Sequence, residues 1–174
     1  MLPSLQYFKP SFMSLSRHHP IWSTALSPFE VSKAVITARM LSGRYKTDHL
    51  VRHWSRVNPE GLCQLPDCDG QVGTMQHILL GCPALVETRQ RMISHWSAFL
   101  VSHPWLFPIV KHHTTDNPSL FLKFLLDAST LPLVISANRV NPEILPSCMY
   151  ITRTWNFSMH LKLEKIRRLF NLKT

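Results

Sequence analysis

The sequence predicts a mainly α protein, a small helical domain with an embedded Cys-Cys-His-Cys loop of the zinc-knuckle type. Three observations carry this. Apolar residues recur at helical spacing in several separate stretches. Thirteen prolines against five glycines suit helices separated by stiff joints. Three of the four cysteines, Cys63, Cys68 and Cys82, fall within a short span that also holds His77.

The first expected element is an irregular arm over residues 1–26, aromatic and proline-rich, with Tyr7, Phe8, Phe12 and Trp22. A helical domain over 27–174 follows. Ser27-Pro28-Phe29-Glu30 has the form of a helix start: a serine N-cap, proline in the first position and a glutamate for a capping box. Val31, Ala34, Val35, Ala38 and Leu41 then form the expected buried stripe, and Gly43 a C-cap. Thr47 opens a short second helix to about Trp54. Residues 57–83 form the metal loop, and all five glycines lie between 43 and 81, where tight turns are needed.

Thr74 caps a short helical piece carrying His77. The most regular helix covers about 84–102, with Leu85, Met92, Ile93, Trp96, Phe99 and Leu100 on one face and a Glu87–Arg91 pair on the other. His103-Pro104 ends it. A linker to Asn117-Pro118, a short apolar helix over 118–128, and a piece over 131–135 that is either extended or helical come next. Asn141-Pro142 and Pro146 break the chain. The last helix spans about 148–170, burying Ile151, Trp155, Met159, Leu163, Ile166 and Phe170, with Arg153 and the other basic residues turned away. Trp54, Trp96 and Trp155 fit core positions and Cys148 a small buried one. His18-His19 and His112-His113 read as solvated loop residues.

The formal charge is +9, unevenly spread. Residues 1–57 hold eight Lys/Arg against two Asp/Glu, residues 58–138 four against six, and residues 139–174 seven against two. Two basic ends flank a slightly acidic middle. A basic surface attracts polyanions, nucleic acid foremost. The candidate phosphate contacts are Arg39, Arg44, Lys46, Arg52, Lys162, Lys165, Arg167 and Arg168. The longest apolar run is broken by Lys123 and is too short to span a bilayer, and the N-terminus shows no signal-peptide pattern. The expectation is therefore an intracellular protein, nuclear or cytoplasmic, not secreted and not in a membrane.

Cys63-x4-Cys68-x8-His77-x4-Cys82 offers four soft or borderline donors, the set a tetrahedral zinc ion takes. Pro66 stiffens the first turn and Gly81 frees the backbone before Cys82. Four protein ligands leave no open position, so the expected site is structural, not catalytic. The segment around it has few apolar residues to offset its ordering entropy, and a metal would supply what it lacks. No glycine-flanked nucleophile and no phosphate-cradling glycine loop is present.

Ala38-Arg39-Met40-Leu41-Ser42-Gly43-Arg44-Tyr45, the metal loop ending in His77-Ile78-Leu79-Leu80-Gly81-Cys82-Pro83, and the final helix from Thr152 through His160 to Arg168 together resemble the C-terminal region of reverse transcriptases of LINE-type (non-LTR) retrotransposons. The resemblance runs over about residues 4–172. It implies a reverse-transcriptase tail, with the family's metal ligands falling on Cys63, Cys68, His77 and Cys82. Many members place two residues between the first two cysteines, where this chain has four. The parent polyproteins are RNA-directed DNA polymerases, but this chain has no adjacent aspartate pair and no endonuclease-type carboxylate–histidine cluster.

The expected function is thus a non-catalytic zinc-binding accessory module that contacts RNA or DNA through its basic surfaces. A second reading is a protein-interaction or scaffold module docking on a polymerase domain. A third is a decayed retroelement fragment without independent function.

Overall fold

The computed structural model describes residues 19–23, 25–52, 57–106 and 118–172. Seven α-helices are present among them: α1 (Pro20–Ser23), α2 (Pro28–Leu41), α3 (Asp48–Val51), α4 (Val86–Ser102), α5 (Pro118–Asp127), α6 (Pro132–Val140) and α7 (Ile144–Leu169). The described residues contain no β-strand, only an isolated antiparallel bridge between Leu62 and Val72. The fold is mainly α, as the helical periodicity predicts. The chain divides into two compact units, residues 1–45 with 119–157, and residues 46–118 with 158–174. Helix α7 supplies residues 144–157 to the first unit and 158–169 to the second. No single described helix is long and apolar enough to cross a membrane, although the bent pair 119–130 and 132–140 passes on length and composition.

In the first unit, α2 starts as its sequence dictates. Ser27 is extended and its Oγ accepts the Glu30 N–H at 3.2 Å, with Pro28 in the first turn. Its buried face differs from the expected stripe. Lys33, Ala34, Ile36, Thr37, Met40 and Leu41 are buried, while Val31 is exposed. The reason lies on α7, which presents polar groups to this face. Asn156 Nδ2 stands 3.4 Å from Thr37 Oγ1 and donates to the Leu125 carbonyl at 2.7 Å. Lys33 Nζ reaches Thr154 Oγ1 at 3.4 Å and pairs with Glu30 at 2.7 Å.

Arg153 does not turn to solvent as expected. It is fully buried, donating from Nη1 to the Ile21 carbonyl at 2.8 Å, with Nη2 3.5 Å from Glu30 Oε2. Between Cys148 and Asn156 nearly every α7 side chain is buried, so no single apolar stripe describes this stretch. Trp155 anchors it, fully buried with its ring edge-to-face with Phe121 at 5.6 Å. Cys148 is buried, as its apolar context suggests. Pro146 does not break the chain. It sits in the first turn of α7, where backbone N–H groups have no helical partner to lose. Residues 132–140 resolve as helix, and residues 20–23 of the expected irregular arm form one helical turn. His19 is not solvated: Nδ1 accepts the Ile21 N–H, and Nε2 stands 3.2 Å from Asp127.

In the second unit, α4 buries Leu85, Met92, Trp96 and Leu100 along the expected face, and Glu87 pairs with Arg91 at 3.0 Å on the other. The end of α7 buries Met159, Leu163 and Ile166, whereas Phe170 is exposed. Trp54, His18, His112, His113 and most of the N-terminal aromatics lie outside the described residues.

Candidate metal centre

The loop that carries the first two cysteines is built by hydrogen bonds rather than by apolar burial. Asn58 brackets Leu62, its amide donating to the Leu62 carbonyl at 2.7 Å and its carbonyl accepting the Leu62 N–H at 2.9 Å. Cys63 N–H donates to Gln71 O at 2.7 Å and Gly73 N–H to Gly61 O at 2.8 Å, so the chain doubles back on itself. The reversal needs left-handed backbone at Asp67, Asp69 and Gly70. Asp and Gly are residue types that tolerate it. At Gly61, φ is +69° and a Cβ would stand 2.8 Å from the His49 backbone, so only glycine fits there.

The second pair of ligands comes from one turn of helix. Thr74 caps it, accepting the His77 N–H at 3.1 Å. Residues His77–Gly81 then widen into a π turn, closed by the Cys82 N–H on the His77 carbonyl at 2.6 Å. In a regular α-helix, residues five apart point about 140° away from one another. The i→i+5 closure swings Cys82 back toward His77, so the two ligands converge. Such widened turns recur at functional sites.

The result is that Cys63, Cys68, His77 and Cys82 are all buried and their donor atoms lie within 4.8 Å of one another. Cys68 and Cys82 sulfurs are 3.4 Å apart, too far for a disulfide and near the edge, about 3.8 Å, of a tetrahedron with Zn–S bonds of about 2.3 Å. All four cysteines are free thiols. His77 Nε2 is buried with no hydrogen-bond partner among the described residues, an expense that a metal bond or a bound proton acceptor would remove. The donor chemistry and this orphaned nitrogen fit a metal ion. The four residues form a buried Cys3His group that could hold one.

The electrostatics point the same way. The Cys82 thiol, with help from the Leu65 N–H, holds Cys63 well below the usual thiol range, at about 5. Burial pushes Cys68 up to about 11, and the hydrogen bond with Cys63, followed by burial, raises Cys82 still further. Three sulfurs at this spacing cannot all ionise against one another. A divalent cation among them reverses that order and lets each act as a thiolate.

Two charged side chains beside the group have no role in the sequence reading. Asp48, the first residue of α3, is buried, and burial raises its carboxyl above the ordinary value. It accepts from the Gln64 N–H, lies 4.0 Å from Arg167 and packs so closely on Gly73 that a Cβ there would meet its own Cβ at 2.7 Å. Arg89, on α4, is buried and donates from Nη2 to the Cys82 carbonyl at 2.6 Å. Its position was readable, since Leu85, Arg89, Met92, Trp96 and Leu100 follow one helical stripe and the arginine interrupts the apolar run.

Of the candidate phosphate contacts, Arg39, Arg44, Lys46, Lys165 and Arg168 are exposed, and Arg52 and Lys162 are half-buried. Lys162 stands 3.8 Å from Glu87. Arg167 departs from the expectation. It is buried, close to Asp48, Glu164 and the Lys46 carbonyl, because it falls on the same side of α7 as Leu163 and Ile166.

A buried Cys3His group that could hold a metal ion, in a mainly α setting, is what the described residues define. No protein-family model, curated protein or solved structure matches the chain.

Proposed function

We propose that this protein is a non-catalytic accessory module whose Cys63, Cys68, His77 and Cys82 hold one structural zinc ion, and whose basic surface contacts RNA or DNA. The observation that carries the proposal is the convergence of four buried donor atoms within 4.8 Å. Three sulfurs and one imidazole are the donor set zinc prefers, and a shell of four protein ligands leaves no position for a substrate. The net charge of +9 and the exposure of Arg39, Arg44, Lys46, Lys165 and Arg168 support the polyanion partner. The likeness of residues 38–45 and 77–83 to LINE-type reverse transcriptases supports a role beside a polymerase that handles both nucleic acids.

The test is a titration of zinc-loaded protein with single-stranded RNA and DNA at rising salt. Binding through several phosphate contacts falls steeply as salt rises. Replacing Lys165 and Arg168 together with glutamine reduces that slope by about two in a double-logarithmic plot. Affinity that is unmoved by salt refutes the nucleic-acid role. Protein that takes up less than one zinc per chain refutes the metal.

A further inference from the structure

Arg89 is a buried guanidinium without a carboxylate. Its side chain makes one described hydrogen bond, Nη2 to the Cys82 carbonyl, and Nη1 is buried with no hydrogen-bond partner among the described residues. No ion pair to Asp or Glu involves it among those residues. A buried cation needs an opposite charge close by. The groups within electrostatic reach of Arg89 are the sulfurs of Cys82 and Cys68. The other buried cation of this unit, Arg167, is already placed against Asp48 and Glu164.

Three thiolates, a neutral imidazole and a divalent metal carry one net negative charge, and one arginine balances it. Donors to ligating sulfurs are already present on the backbone, from Leu65 to Cys63 and from Ala84 to Cys68. The Cys82 carbonyl accepts from Arg89 Nη2 and from the Leu85 N–H at 3.1 Å, and the orphaned Nη1 belongs to that same guanidinium.

We infer that Arg89 is a positioning residue of the metal centre, its guanidinium fixing the Cys82 backbone through Nη2 while Nη1 and its charge stabilise the Cys82 and Cys68 thiolates. The inference rests on the metal reading above. It makes the centre more than four ligands: α4, through Arg89, sets how tightly the ion is held. Besides the four candidate ligands, the charged groups around the site are Arg89, beside Cys82 and Cys68, and Asp48, beside Cys63 and His77 and itself 4.0 Å from Arg167.

The experiment compares zinc-loaded wild type, Arg89→Met and Arg89→Lys by competition with a chelator of known affinity, from neutral to mildly acidic pH. Arg89→Met is expected to lose about tenfold to a hundredfold in zinc affinity. It should also release zinc at a higher pH than wild type, a shift that lost packing alone does not produce. Arg89→Lys, keeping charge without the fork, should fall between them. Arg89→Met that matches wild type in both affinity and release pH overturns the inference.

Should Arg89→Met fail to fold, wild-type protein loaded with a spin-half cadmium isotope decides. Scalar coupling from the metal to slowly exchanging Arg89 guanidinium protons supports the assignment, and uncoupled protons exchanging at solvent rates overturn it. Wild type that binds no zinc fails the metal reading itself, an outcome distinct from zinc-loaded protein indifferent to position 89.

Discussion

The loop over residues 57–83 and the helical unit around Trp155 solve the same problem by opposite means. In the helical unit, order comes from area. Phe121, Phe124, Leu125, Met149 and Trp155 are almost wholly removed from water, and the Asn156 amide N–H and the Lys33 ammonium among them find partners. In the loop, order comes from directed bonds. Its reversal rests on the Cys63–Gln71, Gly73–Gly61 and Asn58–Leu62 hydrogen bonds, while Val57 and Val72 are exposed. Its buried centre joins sulfur and imidazole to Leu65, Ile78 and Leu79. The comparison teaches that a short, largely polar segment can be organised by directed bonds around a Cys3His group, with an ion held there adding to what its few buried apolar residues supply.

Removing the ion is the largest way to break that contrast. Chelation, or Cys82→Ser, is expected to cost on the order of 10 kcal/mol of local ordering free energy. Hydrogen exchange followed by mass spectrometry should show protection collapsing across residues 57–83 and persisting in α2 and in α7 around Trp155. Equal loss in both regions, or no loss in either, would show that the ion does not organise the loop. The converse experiment is Trp155→Ala. Truncating a fully buried tryptophan typically costs about 3–5 kcal/mol. The helical unit should melt earlier by that amount, while zinc stoichiometry stays at one per chain.

Much of this contrast was legible in the residues. The Cys3His group was visible because metal chemistry admits few residue types and short spacings, and the structure brings all four residues together. The start of α2 was visible because Ser27, Pro28 and Glu30 act locally. What could not be read was which polar residues are buried. Lys33, Thr37 and Arg153 carry the signature of a solvated face, and their burial depends on partners far along the chain, Glu30 with Thr154, Asn156, and the Ile21 carbonyl. Periodicity reports a helix's own faces, not what covers them. The same limit hid Arg167, whose place on the Leu163–Ile166 side of α7 only matters because Asp48 waits there. Pro146 misled for a different reason: a proline ends a helix from the inside but not from its first turn.

The smallest expected effect sharpens the comparison between cysteines of the two regions. Burial alone pushes the Cys148 thiol up from 9.0 to about 12, whereas Cys63 and Cys82 in the loop respond first to each other. For Cys148 the unfolded chain gives up its proton first as pH rises. The folded state's advantage is therefore complete below pH 9.0 and shrinks as pH climbs from 9.0 toward about 12. Denaturant titrations of wild type and Cys148→Ala should run parallel at neutral pH and draw together, or cross, in alkali. The relative loss in wild type should be just under about 1 kcal/mol half a unit above the unfolded value. The loop cysteines are the same in both proteins, so their contribution to the two curves cancels. Curves that stay parallel into strong alkali would mean that Cys148 meets water as readily in the folded protein as in the unfolded chain.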